Sequence, residues 1–331
     1  MNLKEKFDRV FEQISSSYKI LIKVNGLYGL FLIFFFIPIS KIKYLAPCIY
    51  HLKHWLIIRI LYRHLNDLIS KHKNDPVYPK QPQQSSEYDD SIWVYWNDEN
   101  NIPPLVKRCI AQISKYAAGR TVRLVTENNL KKYISLSSHV EQKYTTGKIT
   151  RTHFSDIVRL SLMSKYGGIY MDATLLQTDF LEKEWLEHDF FTIKAKIGKK
   201  YKVVSEGKWS SFFFACRKNN LLTQLTLEMM NKYWEKWDLL IDYLWIDYLW
   251  MVCSENIPSI NQMFEEVPYT NAYIYTLNGY GKACSDEEYK QRVKKPNTVL
   301  YKMSYKGTSS HKEMNDIGEV TFLGRIINSE I

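Results

Sequence analysis

The stretch THFSDIVRLSLMSKYGGIYMDATLL, residues 152 to 176, constrains this chain more than any other. It reads as a helix, a double glycine, a strand, and a carboxylate where the strand stops. Thr152 can cap a helix running to about Tyr166, where Gly167 supplies a left-handed turn and Gly168 lets the chain re-enter as a strand. At about 100° per residue, Phe154, Ile157 and Val158 form one apolar face, while Leu160 and Met163 lie on the other, beside Asp156 and Arg159. A helix that is apolar almost all round is buried on both sides. Asp156 and Arg159 are one turn apart, close enough to pair, yet a buried ion pair adds little net stability over an apolar substitute. A structural pair is one reading. The other, which we favour, is a ligand whose hydroxyls and phosphates use the remaining hydrogen-bonding capacity.

The flanking pattern alternates strands and helices. SIWVYW (91 to 96) predicts a strand, Pro103-Pro104 opens an apolar-periodic helix through Tyr116, TVRLV (121 to 125) predicts a second strand, and ENNLKKYI a short helix. The fold class expected is therefore α/β with a mostly parallel central sheet. Ligands of such sheets bind beyond the carboxyl ends of the strands, which directs attention to Trp96 to Glu99, Thr126 to Asn128, and Asp172 to Thr174. A tandem pentapeptide, IDYLWIDYLW (241 to 250), carries Asp242 and Asp247 five residues apart, so on a helix only one of them faces a cleft. Trp209 and Ser211, beside an apolar run that reads as core, receive no catalytic assignment.

Charge is unevenly spread. Through residue 88 there are 13 Lys and Arg against 6 Asp and Glu, so +7 of the net +10 lies in the first quarter. That distribution argues against a uniformly basic nucleic-acid binder and for a basic N-terminal segment facing something acidic. Gly26 to Ile39 is the most apolar run, flanked by Lys19, Lys23, Lys41 and Lys43, but it is short for a span and broken by Pro38. It also lacks a signal-peptide pattern. CIYHLKHWLIIRILYRHL then alternates Lys53, Arg59 and Arg63 with Trp55, Leu56, Ile57, Ile60 and Leu61, a basic amphipathic helix. Residues 1–73 are expected to associate with an anionic membrane surface, peripherally or monotopically; the alternative is that these helices pack on the catalytic domain or on a second copy in a homo-oligomer. Residues 74–90, rich in Pro, Gln and Ser, read as a linker, and 91–331 as the globular domain. The five scattered cysteines show no metal or redox spacing and read as free, mostly buried thiols.

IWVYWNDENNIPPLVKRCI together with HFSDIVRLSLMSKYGGIYMDATLL resembles the bacterial capsular polysaccharide synthesis glycosyltransferases, from about residue 91 to past 250. These are related to the DXD-containing sugar-binding-region enzymes, among them yeast Golgi initiating mannosyltransferases and clostridial glucosylating toxins. The resemblance implies a GT-A type nucleotide-binding domain and a retaining transfer from a nucleotide-sugar, UDP being the family's habit, to a lipid-linked glycan at the cytoplasmic face of the membrane. It further implies that Trp96 stacks on the donor base, whereas Trp93 is core, and that Asp156 and Arg159 hold the donor sugar and nucleotide. Asp172 matches the first aspartate of the DXD motif, with Thr174 in place of the second.

A divalent ion, Mn²⁺ or Mg²⁺, accepts as few as one or two protein carboxylates when phosphates supply the rest, so Asp172 with Thr174 is an adequate metal site. Lys302 and Lys306 are expected to close over the diphosphate, Asp247 to act with Asp156 as a catalytic carboxylate, and His311 is a weaker metal candidate. The competing function is a non-catalytic sugar-nucleotide or glycan binding protein with a degenerate metal motif.

Overall fold

The computed structural model describes residues 3–75, 90–308 and 312–328; residues 76–89 of the expected linker and His311 lie outside them. Strands β1 (Ser91–Tyr95), β2 (Thr121–Val125), β3 (Gly168–Met171), β5 (Phe190–Thr192) and β6 (Phe213–Cys216) form one sheet in the order β2-β1-β3-β6-β5. β1 pairs in parallel with β2 and β3, and β6 runs antiparallel to both β3 and β5. Four of the five strands thus point the same way, the mostly parallel α/β sheet that the alternating pattern predicts. A separate antiparallel pair joins β4 (Leu175–Gln177) to β7 (Leu300–Lys302).

Period-two alternation sorts each strand onto two cores. Ile92, Val94, Ile169, Met171, Phe213 and Ala215 pack on one face of the sheet, and Trp93, Tyr95, Tyr170, Phe214 and Cys216 on the other. The long helices are α1 (Leu3–Lys23), α2 (Ala46–Ser70), α3 (Pro104–Lys115), α4 (Arg151–Tyr166), α5 (Leu221–Lys236) and α6 (Trp245–Asn256); the second face is covered by α2, α4, α5 and α6, with Ile20 of α1 joining that core. α3 lies on the opposite face, where Val106 and Ile113 are buried.

Three local expectations are corrected. α4 is capped by Thr150, whose hydroxyl accepts from the backbone N–H of His153, and not by Thr152, which lies inside the first turn. ENNLKKYI forms a single 3₁₀ turn, Leu130–Lys132, because Asn129 turns its side chain onto the backbone of Thr126 and Leu124 instead of capping a longer helix. Only the second copy of the tandem pentapeptide is helical; in the first, Asp242 accepts from the N–H of Leu244 and holds an irregular turn.

The N-terminal helices are built into the same core as the sheet. Ile57, Leu61, Leu65 and Ile69, four residues apart, are at most 1 % exposed and pack with Trp234 and Trp245. Two polar contacts join α2 to the segment around α6: Lys53 Nζ lies 2.6 Å from Asp242, and His54 Nδ1 is 2.6 Å from the Tyr248 hydroxyl. α1 crosses the short helix Gly26–Phe31 so closely that a Cβ on Gly29 would stand 2.3 Å from the Leu21 Cα. The outward surface of this region is apolar and aromatic, with Leu27, Phe34, Tyr44 and Trp55 all more than half exposed. Among the described residues, no helix is long and apolar enough to cross a membrane. Four of the cysteines are buried, Cys48 is exposed, and all five are free.

The turn between α4 and β3 sets where the strand begins. Gly167 has φ of +70°, a Cβ there would meet the Lys218 backbone nitrogen at 2.5 Å, and its carbonyl accepts from the Trp93 indole at 3.0 Å. Gly167→Ala should cost about 2 kcal/mol or more from positive φ and backbone overlap together. A clear fall in the thermal midpoint is expected; an unchanged midpoint would show that the turn tolerates a side chain.

Candidate active site

Because β1 and β3 are parallel neighbours, the residues just past their ends emerge at one edge of the sheet: Trp96 and Asn97 after β1, Asp172 to Thr174 after β3. The pairing of β4 with β7 sets Leu175 opposite Lys302 and brings the C-terminal segment to the same edge. A cleft of about 350 Å³ opens there, lined by Trp96, Arg159, Asp172, Thr174, Lys302 and Lys306, with Tyr305 set edge-on to the Trp96 ring at 5.3 Å. A second, of about 270 Å³, is lined by Asp156, Trp209, Ser211, Asp247 and Tyr275. Thr152, Arg159, Asp172 and Tyr243 line both.

Arg159 stands at the junction. It is 5 % exposed, and its Nη2 lies 3.2 Å from Asp156 Oδ1 on the preceding turn. Its Nη1 donates to the Ser211 carbonyl at 2.7 Å, its Nε to the Ser155 carbonyl at 3.3 Å, and the guanidinium lies 4.9 Å from the centre of the Tyr170 ring. Burial opposes its charge, but Tyr170, Asp156, Asp172 and Asp247 outweigh burial and raise its pKa, so it stays a cation. Burial raises the Asp156 pKa against the opposing pull of Arg159. The buried pair expected from the sequence is therefore present, with its outer edge turned to the clefts.

Asp172 sits in a turn whose shape is set by backbone bonds: its N–H donates to the Phe212 carbonyl, and its own carbonyl accepts from Leu175, each at 2.9 Å. Its carboxylate contacts the Lys302 ammonium, which also donates to the Thr174 hydroxyl at 2.6 Å. Burial alone would raise the Asp172 pKa; Lys302 and Arg159 overcome it and hold the carboxyl below its ordinary value. A cation is thus already seated on the two oxygens that the sequence suggests for a metal. Among the described residues no group of three or more His, Cys, Asp or Glu side chains is disposed to hold a metal ion. The donor set that is present, one carboxylate and one hydroxyl, fits a hard ion that takes most of its ligands from phosphate and water.

Asp247, in the first turn of α6, accepts from the Trp209 indole at 2.8 Å. Burial pushes its pKa up to about 7, with Asp156 adding to the rise and Trp209 opposing it. Asp242 is elsewhere, paired with Lys53, so of the two repeated aspartates it is Asp247 that reaches the cleft. Trp93 is core, 2 % exposed.

A model of the capsular polysaccharide synthesis protein family matches residues 39–320. The chain belongs to that family. An O-glycosyltransferase of Phomopsis amygdali, PaGT, is 26 % identical over 105 residues, which are 29 % of this chain and 26 % of that protein, so the match spans about a quarter of the relative's length. The solved PaToxG glycosyltransferase aligns over 73 % of this chain and 95 % of its own at 15 % identity, with a TM-score of 0.38. The family match begins within the N-terminal helices, ahead of α2, in keeping with the packing of α2 into the core of this family member.

Several residues to which the sequence assigns no role shape the site. Trp209 orients Asp247, and the Ser211 carbonyl holds Arg159, a backbone contact that no side-chain pattern betrays. Tyr243 lies 69 % exposed over both clefts, on a segment that His153 pins through its contact with the Tyr243 carbonyl at 3.3 Å. The repeated DYLW was its only signal.

The Asp247 pKa yields a stability test. A carboxyl whose folded pKa is raised from 3.8 to about 7 binds extra protons when folded, so its stabilisation is present at low pH and is lost as pH rises through about 7. Asp247→Asn, always neutral, should gain thermal stability relative to the parent as pH rises from about 4 to about 7, the interval between the unfolded and folded pKa values, and hold that gain above it. Parallel melting curves across this range would mean that Asp247 ionises like a surface carboxylate.

Proposed function

We propose that this protein is a retaining glycosyltransferase that moves a sugar from a nucleotide donor, a UDP-sugar, to a lipid-linked oligosaccharide in capsular or surface polysaccharide synthesis. The observation that carries this reading is the pair of clefts meeting at Arg159 and Asp172, one cationic and aromatic, the other lined by carboxylates. Membership of the capsular polysaccharide synthesis family supports it, as does the partial likeness to a named O-glycosyltransferase.

In this reading Trp96 stacks on the base, and Lys302, Lys306 and Arg159 neutralise the diphosphate. Asp172 and Thr174 would hold a Mn²⁺ or Mg²⁺ ion, which when bound supplies further charge stabilisation for the departing diphosphate. The bond between the anomeric carbon and the phosphate oxygen breaks, its electron pair leaving with the nucleoside diphosphate. The acceptor hydroxyl forms the new bond to the anomeric carbon with net retention and gives up its proton. Asp156 faces the positive charge that develops on the sugar, and Asp247 takes up the acceptor's proton, which a carboxyl with a pKa near neutrality does efficiently. The buried Trp209 bond keeps that carboxylate from turning away.

The exposed apolar and aromatic surface of residues 27–59, interspersed with Lys41, Lys43 and Arg59, supports peripheral attachment to an anionic leaflet at the cytoplasmic face, where a lipid-linked acceptor would be presented.

Release of UDP from a panel of UDP-sugars with Mn²⁺ and a membrane-extracted acceptor tests the assignment. Asp247→Asn should lower kcat by about 100-fold or more with little change in KM. Trp96→Ala should chiefly raise KM, and Asp172→Asn should raise the Mn²⁺ concentration needed for half-maximal rate. Donor binding without turnover under every condition would favour the non-catalytic binding protein instead.

A further inference from the structure

Away from the clefts, a third cavity of about 250 Å³ lies where α2 meets the end of α5 and the link between α1 and the helix Gly26–Phe31. Its polar lining is basic: Arg63 and His64 from α2, and Lys236 from the last turn of α5. Trp237 forms an aromatic wall, with its ring 4.4 Å from that of His64 and 4.7 Å from the Lys236 ammonium. Val24 and Ile60 close the apolar side, and among the described residues no acidic side chain lines the cavity.

The ordinary explanations cover only part of this arrangement. Lys236 suits the carbonyl end of a helix. Arg63 and Lys236 are both solvent-exposed, and among the described residues neither has an ion-pair partner, whereas Lys232 nearby is taken by Asp67. Burial lowers the His64 pKa against a backbone hydrogen bond at Lys232, so the ring is neutral, and among the described residues its buried Nε2 atom has no close partner. Among the described residues, two cations without ion-pair partners and a neutral imidazole around one space with no acidic lining match the charged oxygens of a phosphate diester.

Its position identifies the source of that phosphate. Arg63 continues the exposed stripe of α2 on which Arg59 lies against Trp55, 5.4 Å from ring centre to guanidinium. Asn25, in the cavity wall, leads directly into Leu27, which is 83 % exposed. A ligand whose phosphate enters the cavity would therefore have its acyl chains beside the apolar surface.

We infer that this cavity is a headgroup site for the phosphate ester of an anionic membrane phospholipid, seated by Arg63, His64 and Lys236 against Trp237. The inference rests on the membrane attachment proposed above and adds to it a defined, saturable site. Three measurements separate the two. Short-chain phosphatidylglycerol, kept below its micelle concentration, should raise the thermal midpoint of the parent and of a Lys41→Ser/Lys43→Ser control, but not that of Arg63→Ser/Lys236→Ser. Inorganic phosphate at the same concentration should give a much smaller shift. In co-sedimentation with phosphatidylglycerol vesicles, Arg63→Ser/Lys236→Ser should bind roughly 10- to 30-fold more weakly than the parent. Leu27→Glu/Phe34→Glu should lose vesicle binding and keep the short-chain lipid shift. Vesicle binding by the parent without a short-chain shift, or a shift that survives in Arg63→Ser/Lys236→Ser, overturns the headgroup site and leaves membrane attachment standing. A shift without vesicle binding does the reverse. Equal shifts with inorganic phosphate would overturn the lipid as the ligand.

Discussion

A guanidinium sunk almost completely into protein must be satisfied from every side, and the organisation of this site depends on how Arg159 is satisfied. One edge is taken by Asp156 and the Ser155 backbone on its own helix, another by the Ser211 carbonyl, and its face lies against Tyr170. These partners are spread over three parts of the chain, so the guanidinium locks α4, β3 and the approach to β6 into one arrangement. Removing any one of them would leave a buried charge undercompensated, a far larger penalty than loss of an exposed ion pair. What remains unsatisfied looks into the two clefts, and Asp172 completes the rim.

The clefts differ in the sign of their chemistry. On one side Lys302 and Lys306 accompany Arg159, and on the other Asp156 and Asp247 do, so a ligand crossing the junction meets positive groups at one end and carboxylates at the other. Lys302 holds Asp172 below its normal pKa while desolvation lifts Asp247 to about 7. Two aspartates in one site thereby take opposite protonation behaviour from their surroundings alone.

Much of this was legible in the residues. The helix, double glycine, strand and aspartate of 152–176 lie where the pattern predicts, and the alternation of Ile92 and Val94 with Trp93 and Tyr95 divides the cores as period two requires. The ion pair of Asp156 and Arg159 could be inferred because the helix is apolar all round. Long-range register could not be read. Lys302 and Thr174 are 128 residues apart, and only the pairing of β4 with β7 brings the ammonium onto the Asp172 turn. Trp209 was equally hidden, since nothing near it announces that its indole will meet Asp247 38 residues later. The two halves of the tandem pentapeptide part ways for a related reason: Asp242 is drawn to Lys53 on another helix, while Asp247 reaches the cleft.

The contact between Lys53 and Asp242 bears on how the protein can be divided. Asp242 belongs to the same turn as Tyr243, which overhangs both clefts, so one wall of the site is tethered to a helix of the N-terminal segment. A recombinant fragment starting at the first strand would carry every side chain we assign to chemistry, yet it would leave Trp234 and Trp245 uncovered and that wall untied. The smallest self-sufficient piece must keep α2, so the helices that look like a detachable anchor are structural members of the enzyme.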